Sequence, residues 1–217
     1  MNQPLTYFNK KRIQFLFALF LLLLTLGLQG CAGLIVGAAG GAALAIHDRR
    51  NTETILQDQK IESIAADKIY GDEKLKTKIH ANITSYNQVV LVTGEVLSSD
   101  LREHAIDIIQ KIPHIKRIHN ELVVADLTSF SSRSADSLIT SEIKTKMVGT
   151  KGLDATRVKV VTENARVFLM GLVTDKEADI AVDVARNVKN VKQVIKIFEI
   201  IPEPVATDTP APVVDKK

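Results

Sequence analysis

The chain has 217 residues, with 28 lysines and arginines against 25 aspartates and glutamates, one cysteine, no tryptophan and 5% aromatic residues. The excess of positive charge sits in Lys10, Lys11 and Arg12, so residues 31–217 are neutral overall, which excludes a chain-wide pull on nucleic acid or an anionic surface. One sulfur excludes an internal disulfide and a cysteine-based zinc site, and few aromatics leave Val, Ile, Leu and Ala to build the core.

The three basic residues precede an apolar run, Ile13 to Leu26, which closes on Leu28-Gln29-Gly30-Cys31. Basic start, apolar middle and small residue before cysteine form the layout of a bacterial lipoprotein signal peptide. The expectation is that residues 1–30 are removed and that Cys31 carries lipid. Gln29 departs from the small or apolar residue usual at its place. Gly30, Gly33, Gly37, Gly40 and Gly41 interrupt the apolar pattern, which argues against an uncleaved spanning helix. Ala32 stands where an aspartate would retain an enteric-type lipoprotein at the inner membrane, so the expected location is the periplasmic face of the outer membrane. Residues 31–56 read as a lipid-anchored linker, Ala/Gly-rich and then polar. Its Gly33-x-x-x-Gly37-x-x-x-Gly41 spacing is a helix-packing pattern that low-complexity tracts also generate.

The rest contains one unit twice, over residues 57–126 and 135–202. Ala81–Val96 lies over Val158–Val173 without a gap, Gly94 falling on Gly171. Upstream, Ile61, Ile69, Gly71 and Leu75 fall on Ile139, Met147, Gly149 and Leu153. Downstream, Ala105, Ile112, Ile115 and Ile118 fall on Ala181, Val188, Val191 and Val194. A match order kept along the whole unit marks a duplication.

Each unit predicts helix, strand, strand, helix, strand. Ile61, Ile64, Ala65 and Ile69 recur at helical spacing, as do Ile139, Ile143 and Met147. Polar pairs at Asn87-Gln88 and Asn164-Ala165 split the following β-branched runs into hairpins. Asn tolerates positive φ, whereas Ala165 is a poor second turn residue and leaves the turn type open. Val89–Val92 and Val167–Met170 are apolar on both faces, the signature of a central, doubly covered strand. Gly94 and Gly171 are expected to end strands where the chain bends. Thr174-x-x-Glu177 is a capping box, and Ser98–Asp100 caps the matching helix. The last strands run over Ile115–Val124 and Val191–Ile201. Residues 127–134 form a Ser-rich joint, and residues 203–217, with three prolines, read as a disordered tail.

The paired glycine-containing hairpins, each followed by a helix and an apolar-x-x-apolar entry into a last strand, resemble BON domains (the bacterial osmotic-stress and nodulation module). Val158-Lys-Val-Val-Thr-Glu-Asn, Val167-Phe-Leu-Met-Gly-Leu-Val-Thr and the cysteine motif at Cys31 carry the likeness to dual-BON outer-membrane lipoproteins of gammaproteobacteria. The likeness covers residues 1–201. It implies an α+β fold of two tandem αββαβ units, each a three-stranded mixed sheet packed against two helices. It also implies binding of anionic phospholipid, chiefly through the first helix of the second unit, support of envelope integrity, and gathering at division sites. No catalysis and no cofactor are implied.

The residues offer their own support for a lipid face. From Arg133 to Lys159 basic residues outnumber acids by three, whereas the matching stretch Asp58–Asn82 is balanced. At about 100° per residue, Ile139, Ile143 and Met147 face the sheet while Leu138 points away beside Ser141 and Thr145, with Val148 further round. An outward aliphatic flanked by Lys144 and Lys146 suits an interfacial helix. Leu138, Ser141, Lys144, Thr145, Lys146 and Val148 are therefore the candidate phospholipid-binding residues. A protein-binding adaptor for envelope or cell-wall enzymes is the competing class. Nothing points to catalysis: there is no nucleophile elbow, phosphate-cradling loop or paired carboxylates tied to a pocket. Of the five histidines, His114 and His119 bracket Lys116-Arg117, which repels a cation, so no metal site is expected. Basic stretches without interleaved aromatics give no nucleic-acid surface.

Overall fold

The computed structural model describes residues 48–203. The signal segment, Cys31, the Ala/Gly-rich linker as far as His47, and residues 204–217 lie outside the described residues. The first unit comprises α1 (Thr52–Gly71), β1 (Ile79–Tyr86), β2 (Val89–Val96), α2 (Ser99–Gln110) and β3 (Arg117–Val124). The second comprises α3 (Phe130–Val148), a 3-10 turn (Ala155–Arg157), β4 (Lys159–Glu163), β5 (Arg166–Val173), α4 (Asp175–Arg186) and β6 (Gln193–Ile200).

Each sheet is three-stranded with the middle strand central: β2 runs antiparallel to β1 and parallel to β3, and β5 runs antiparallel to β4 and parallel to β6. The parallel pairs are joined through α2 and α4, as a crossover requires. On one face of the first sheet Val90, Val92 and Val96 meet Ile61, Ala65 and Ile69 of α1 and Ala105 and Ile109 of α2. The second core repeats this with Val167, Leu169 and Val173 against Ile139, Ile143, Met147, Ala181 and Ala185. The opposite faces meet each other: Tyr86, Val89 and Leu91 pack on Val161, Phe168, Met170 and Ile197. That contact explains why β2 and β5 are apolar on both faces. One face is covered by helices and the other by the partner sheet.

Both hairpin turns hold two residues at positive φ: Asn87 (53°) and Gln88 (68°), Asn164 (53°) and Ala165 (62°). This is the I′ geometry that matches strand twist. A buried aspartate from the unit's first helix holds each turn. Asp58 accepts the N–H groups of Asn87 and Gln88 at 2.8 and 2.7 Å, and Asp136 accepts those of Asn164 and Ala165 at 2.9 and 2.8 Å. Two charge-assisted bonds offset the strain of a left-handed alanine.

Two expectations need correction. Gly94 and Gly171 do not end strands; they lie inside β2 and β5. A Cβ on Gly94, whose φ is +119°, would run into the His80 carbonyl, and one on Gly171 would run into the Arg157 carbonyl. Close backbone approach is what excludes a side chain there. The linkers are also shorter than their polar composition suggests. α1 starts at Thr52 behind the Asn51 cap, and α3 starts at Phe130 behind the Ser129 cap. Polar residues that read as linker are cap and first-turn residues.

Candidate lipid-facing site

α3 buries Ile139, Ile143 and Met147 against its sheet and sends Asp136 to the hairpin turn. The other side carries Leu138 and Val148, 72% and 76% exposed, the two most exposed large hydrophobic residues among those described. Ten residues apart, they stand about 15 Å from each other along the axis. The ridge between them is polar in name only. Ser137, Ser141 and Thr145 each donate the side-chain hydroxyl to the carbonyl four residues back, at 3.0, 2.9 and 2.8 Å. Hydroxyls satisfied by the helix itself need no water, which lowers the cost of pressing this face into an interfacial environment.

The cations are arranged differently from the expectation. Lys144 and Lys146 leave the helix about 200° apart, on opposite flanks. Lys146 pairs with Glu142 at 2.9 Å, both half exposed, and shares a groove with Thr145, Ile180 and Val184 against α4. Lys144 joins Val148, Val158, Lys159, Arg50 and Tyr86 around a pocket of about 330 Å³. Burial first, then the like charge of Lys159, lowers the Lys144 pKa. Leu138 lines a separate pocket of about 490 Å³ with Glu142, Lys189 and Lys192. Ser141 lines a third cleft, toward the first unit. Each exposed aliphatic thus stands beside two lysines, Leu138 beside Lys189 and Lys192 and Val148 beside Lys144 and Lys159. Lys189 and Lys192 come from the loop after α4, and no local spacing in the sequence points to them.

Residues 48–50 close one end of this surface. Arg49 donates to both oxygens of Glu177, at 2.6 and 3.2 Å, and to the Leu172 carbonyl at 2.9 Å. Arg50 pairs with Asp48 at 2.7 Å and Asp58 at 2.8 Å, and its guanidinium lies 3.8 Å over the Tyr86 ring. The chain entering from the N-terminal side is therefore fastened to both units, next to Val148.

The histidines singled out in the sequence, His114 and His119, join no cluster of ligating groups among the described residues. The His119 Nε2 atom is buried without a hydrogen-bond partner among the described residues, and burial together with Arg117 lowers the His119 pKa. Three other groups do converge: His80, Glu95 and Glu163, whose ligand atoms lie within 4.8 Å of one another.

A family model for the BON domain matches residues 57–126 and again residues 135–202. The chain belongs to the BON-domain family. It is 36% identical to the outer membrane lipoprotein DolP of Haemophilus influenzae over 177 residues, 82% of this chain and 92% of the relative. It is 34% identical to a protein named 21 kDa hemolysin from Actinobacillus pleuropneumoniae over 154 residues, 71% of this chain and 79% of that one. The first likeness places the chain among outer-membrane lipoproteins. Among the described residues no helix is long and apolar enough to cross a membrane. Neither the family description nor the relatives' names denote an enzyme. Of solved structures, the C-terminal domain of CdsD, a structural protein of the type III secretion system of Chlamydia trachomatis, aligns with 70% of this chain and all of that one. The identity is 10% and the TM-score 0.28, too low to bear on function.

The two BON domains differ at the helix face. Counting from the matched pair Ile61 and Ile139, Leu138 falls on Lys60, Thr145 on Asp67 and Val148 on Tyr70. Tyr70, 42% exposed, is held at its tip, its hydroxyl donating to the Ala81 carbonyl at 2.8 Å and accepting the Ala81 N–H at 3.0 Å. The first BON domain therefore presents charge where the second presents the aliphatic ridge.

Proposed function

We propose that the protein is anchored to the outer membrane by lipid on Cys31, after removal of residues 1–30, and that α3 of its second BON domain docks on anionic phospholipid. The observation carrying this reading is the ridge of Leu138, Ser141, Thr145 and Val148 with a lysine pair beside each aliphatic end. Aliphatic side chains enter the acyl boundary while lysines reach phosphates, each worth about 1 kcal/mol near an anionic leaflet. The tether supports the same orientation. Sixteen residues lie between Cys31 and Asp48, a reach of at most about 60 Å, and the chain enters the domains beside Val148. The covalent lipid raises the helix's effective concentration at the surface, so the helix itself need not bind tightly. In the cell this placement serves envelope integrity, with enrichment where the membrane is dividing.

The experiment uses a version lacking residues 1–46 with vesicles of zwitterionic lipid alone or mixed with phosphatidylglycerol. The protein co-sediments only with the anionic vesicles, and Leu138→Glu abolishes this without changing the circular dichroism. Unchanged co-sedimentation of Leu138→Glu overturns the reading. Capture of envelope proteins with no vesicle binding favours an adaptor instead.

A further inference from the structure

We propose that His80, Glu95 and Glu163 form a divalent transition-metal site, of the zinc class, that joins the two BON domains. His80 and Glu95 are cross-strand partners on β1 and β2, and Glu163 ends β4 of the other domain. One nitrogen and two carboxylate oxygens converge within 4.8 Å. Imidazole with two carboxylates is a donor set that zinc and its neighbours accept, with further positions left to water.

Burial separates this cluster from an ordinary surface group of acids. Glu95 is 1% exposed and Glu163 7% exposed. Two carboxylates facing each other at that depth do not both stay ionised unaided: one keeps a proton, or a cation takes its place. Arg133 and Lys159 line the adjoining cleft, yet among the described residues neither forms an ion pair with Glu95 or Glu163. Among the described residues the one basic group in contact is His80, whose Nδ1 lies 3.1 Å from Glu95 Oε2.

Glu163 is the second pointer. Its only hydrogen-bond donor among the described residues is the Thr93 hydroxyl at 3.5 Å, the outer limit for such a bond. A buried carboxylate so poorly satisfied, aimed at a histidine and a second carboxylate, has room in its bonding for an ion. Glu95 has the oriented outer partners that ligating carboxylates use. Asn164 Nδ2 donates to Oε1 at 2.5 Å and the Thr128 hydroxyl to Oε2 at 2.9 Å. A cleft of about 630 Å³, lined by His80 and Glu163, gives an entry path and space for completing waters. On binding, neutral His80 ligates through Nδ1, so its contact with Glu95 changes from a hydrogen bond to shared coordination.

The ion would fix β1 and β2 of one domain to β4 of the other, so its binding stabilises the folded pair. The test uses the full chain in non-ionic detergent, stripped with chelator and titrated with Zn2+ by calorimetry and thermal unfolding. One equivalent binds and raises the Tm. Glu163→Gln, which removes one of two facing charges without changing shape, and His80→Gln each weaken binding by more than the roughly 10- to 100-fold that loss of an outer partner costs. Co2+ gives a visible absorption band that both variants lose. No binding overturns the proposal, as does an equal Tm rise in wild type and Glu163→Gln, which places the metal elsewhere. The Co2+ band decides the matter independently of variant stability.

Discussion

Arg49 holds Glu177 through both terminal nitrogens, fastening the entering chain to the cap of α4, where Glu177 also closes the capping box with Thr174. Burial would raise the Glu177 pKa, but bonds from Arg49, the Thr174 N–H and Arg157 hold it below the ordinary glutamate value of 4.5. A depressed carboxylate contributes stability that is complete above its unfolded pKa and lost as pH falls through the folded one. Glu177→Gln is expected to lower stability by on the order of 1–3 kcal/mol at neutral pH. The gap to wild type narrows as pH falls below the ordinary glutamate value and closes once pH has passed the depressed folded one, read from urea unfolding across pH.

Ala165→Gly is expected to stabilise the protein by about 1 kcal/mol, because glycine occupies the left-handed region without the Cβ clash. Asp136→Ala does the reverse. It leaves two turn N–H groups without their acceptor, at about 1–3 kcal/mol each if they stay dry. Denaturant midpoints of the two variants move in opposite directions; a shift of both in the same direction contradicts this account of the turn.

Gly171→Ala places a methyl on the Arg157 carbonyl, and Gly94→Ala places one on the His80 carbonyl at a φ that alanine disfavours. Both are destabilising, Gly94→Ala more so, by an added 1–3 kcal/mol or so for the backbone. Comparing their melting temperatures checks the order.

Lys189→Ala and Lys192→Ala are expected to weaken binding to anionic vesicles several-fold each, on the basis of about 1 kcal/mol per lysine, and to flatten its salt dependence. Ile143→Ala, one turn away from the ridge and fully buried, costs about 2–5 kcal/mol of stability, whereas Leu138→Ala leaves the melting temperature unchanged. Vesicle flotation beside thermal melts separates the two kinds of residue.

Much of this architecture is legible in the sequence. The doubled apolar face of Val89–Val92 and Val167–Met170 marks the central strands, and helical spacing marks the sheet-facing side of α3. Other features are illegible for physical reasons. Asp58 and Asp136 look like solvated helix acids, since nothing local shows that a hairpin turn closes over them. A glycine in a β-branched run looks like a strand end when the neighbouring carbonyl that excludes a side chain is distant in the chain. Lys144 and Lys146 were natural candidates because they neighbour Leu138 in sequence, yet Lys189 and Lys192 reach it from another element. The His80, Glu95 and Glu163 cluster joins separate domains and has no spacing to find.

The back-to-back sheets have a last implication, for dissection of the molecule. Cut at the joint near Ser129, each half would turn a slab bearing Tyr86 and Leu91, or Phe168 and Met170, toward water. Single repeats expressed alone are expected to pair with themselves or precipitate, and mixing both halves should restore a soluble heterodimer by size-exclusion chromatography. Duplication here yields one body in which each copy serves as the other's missing layer.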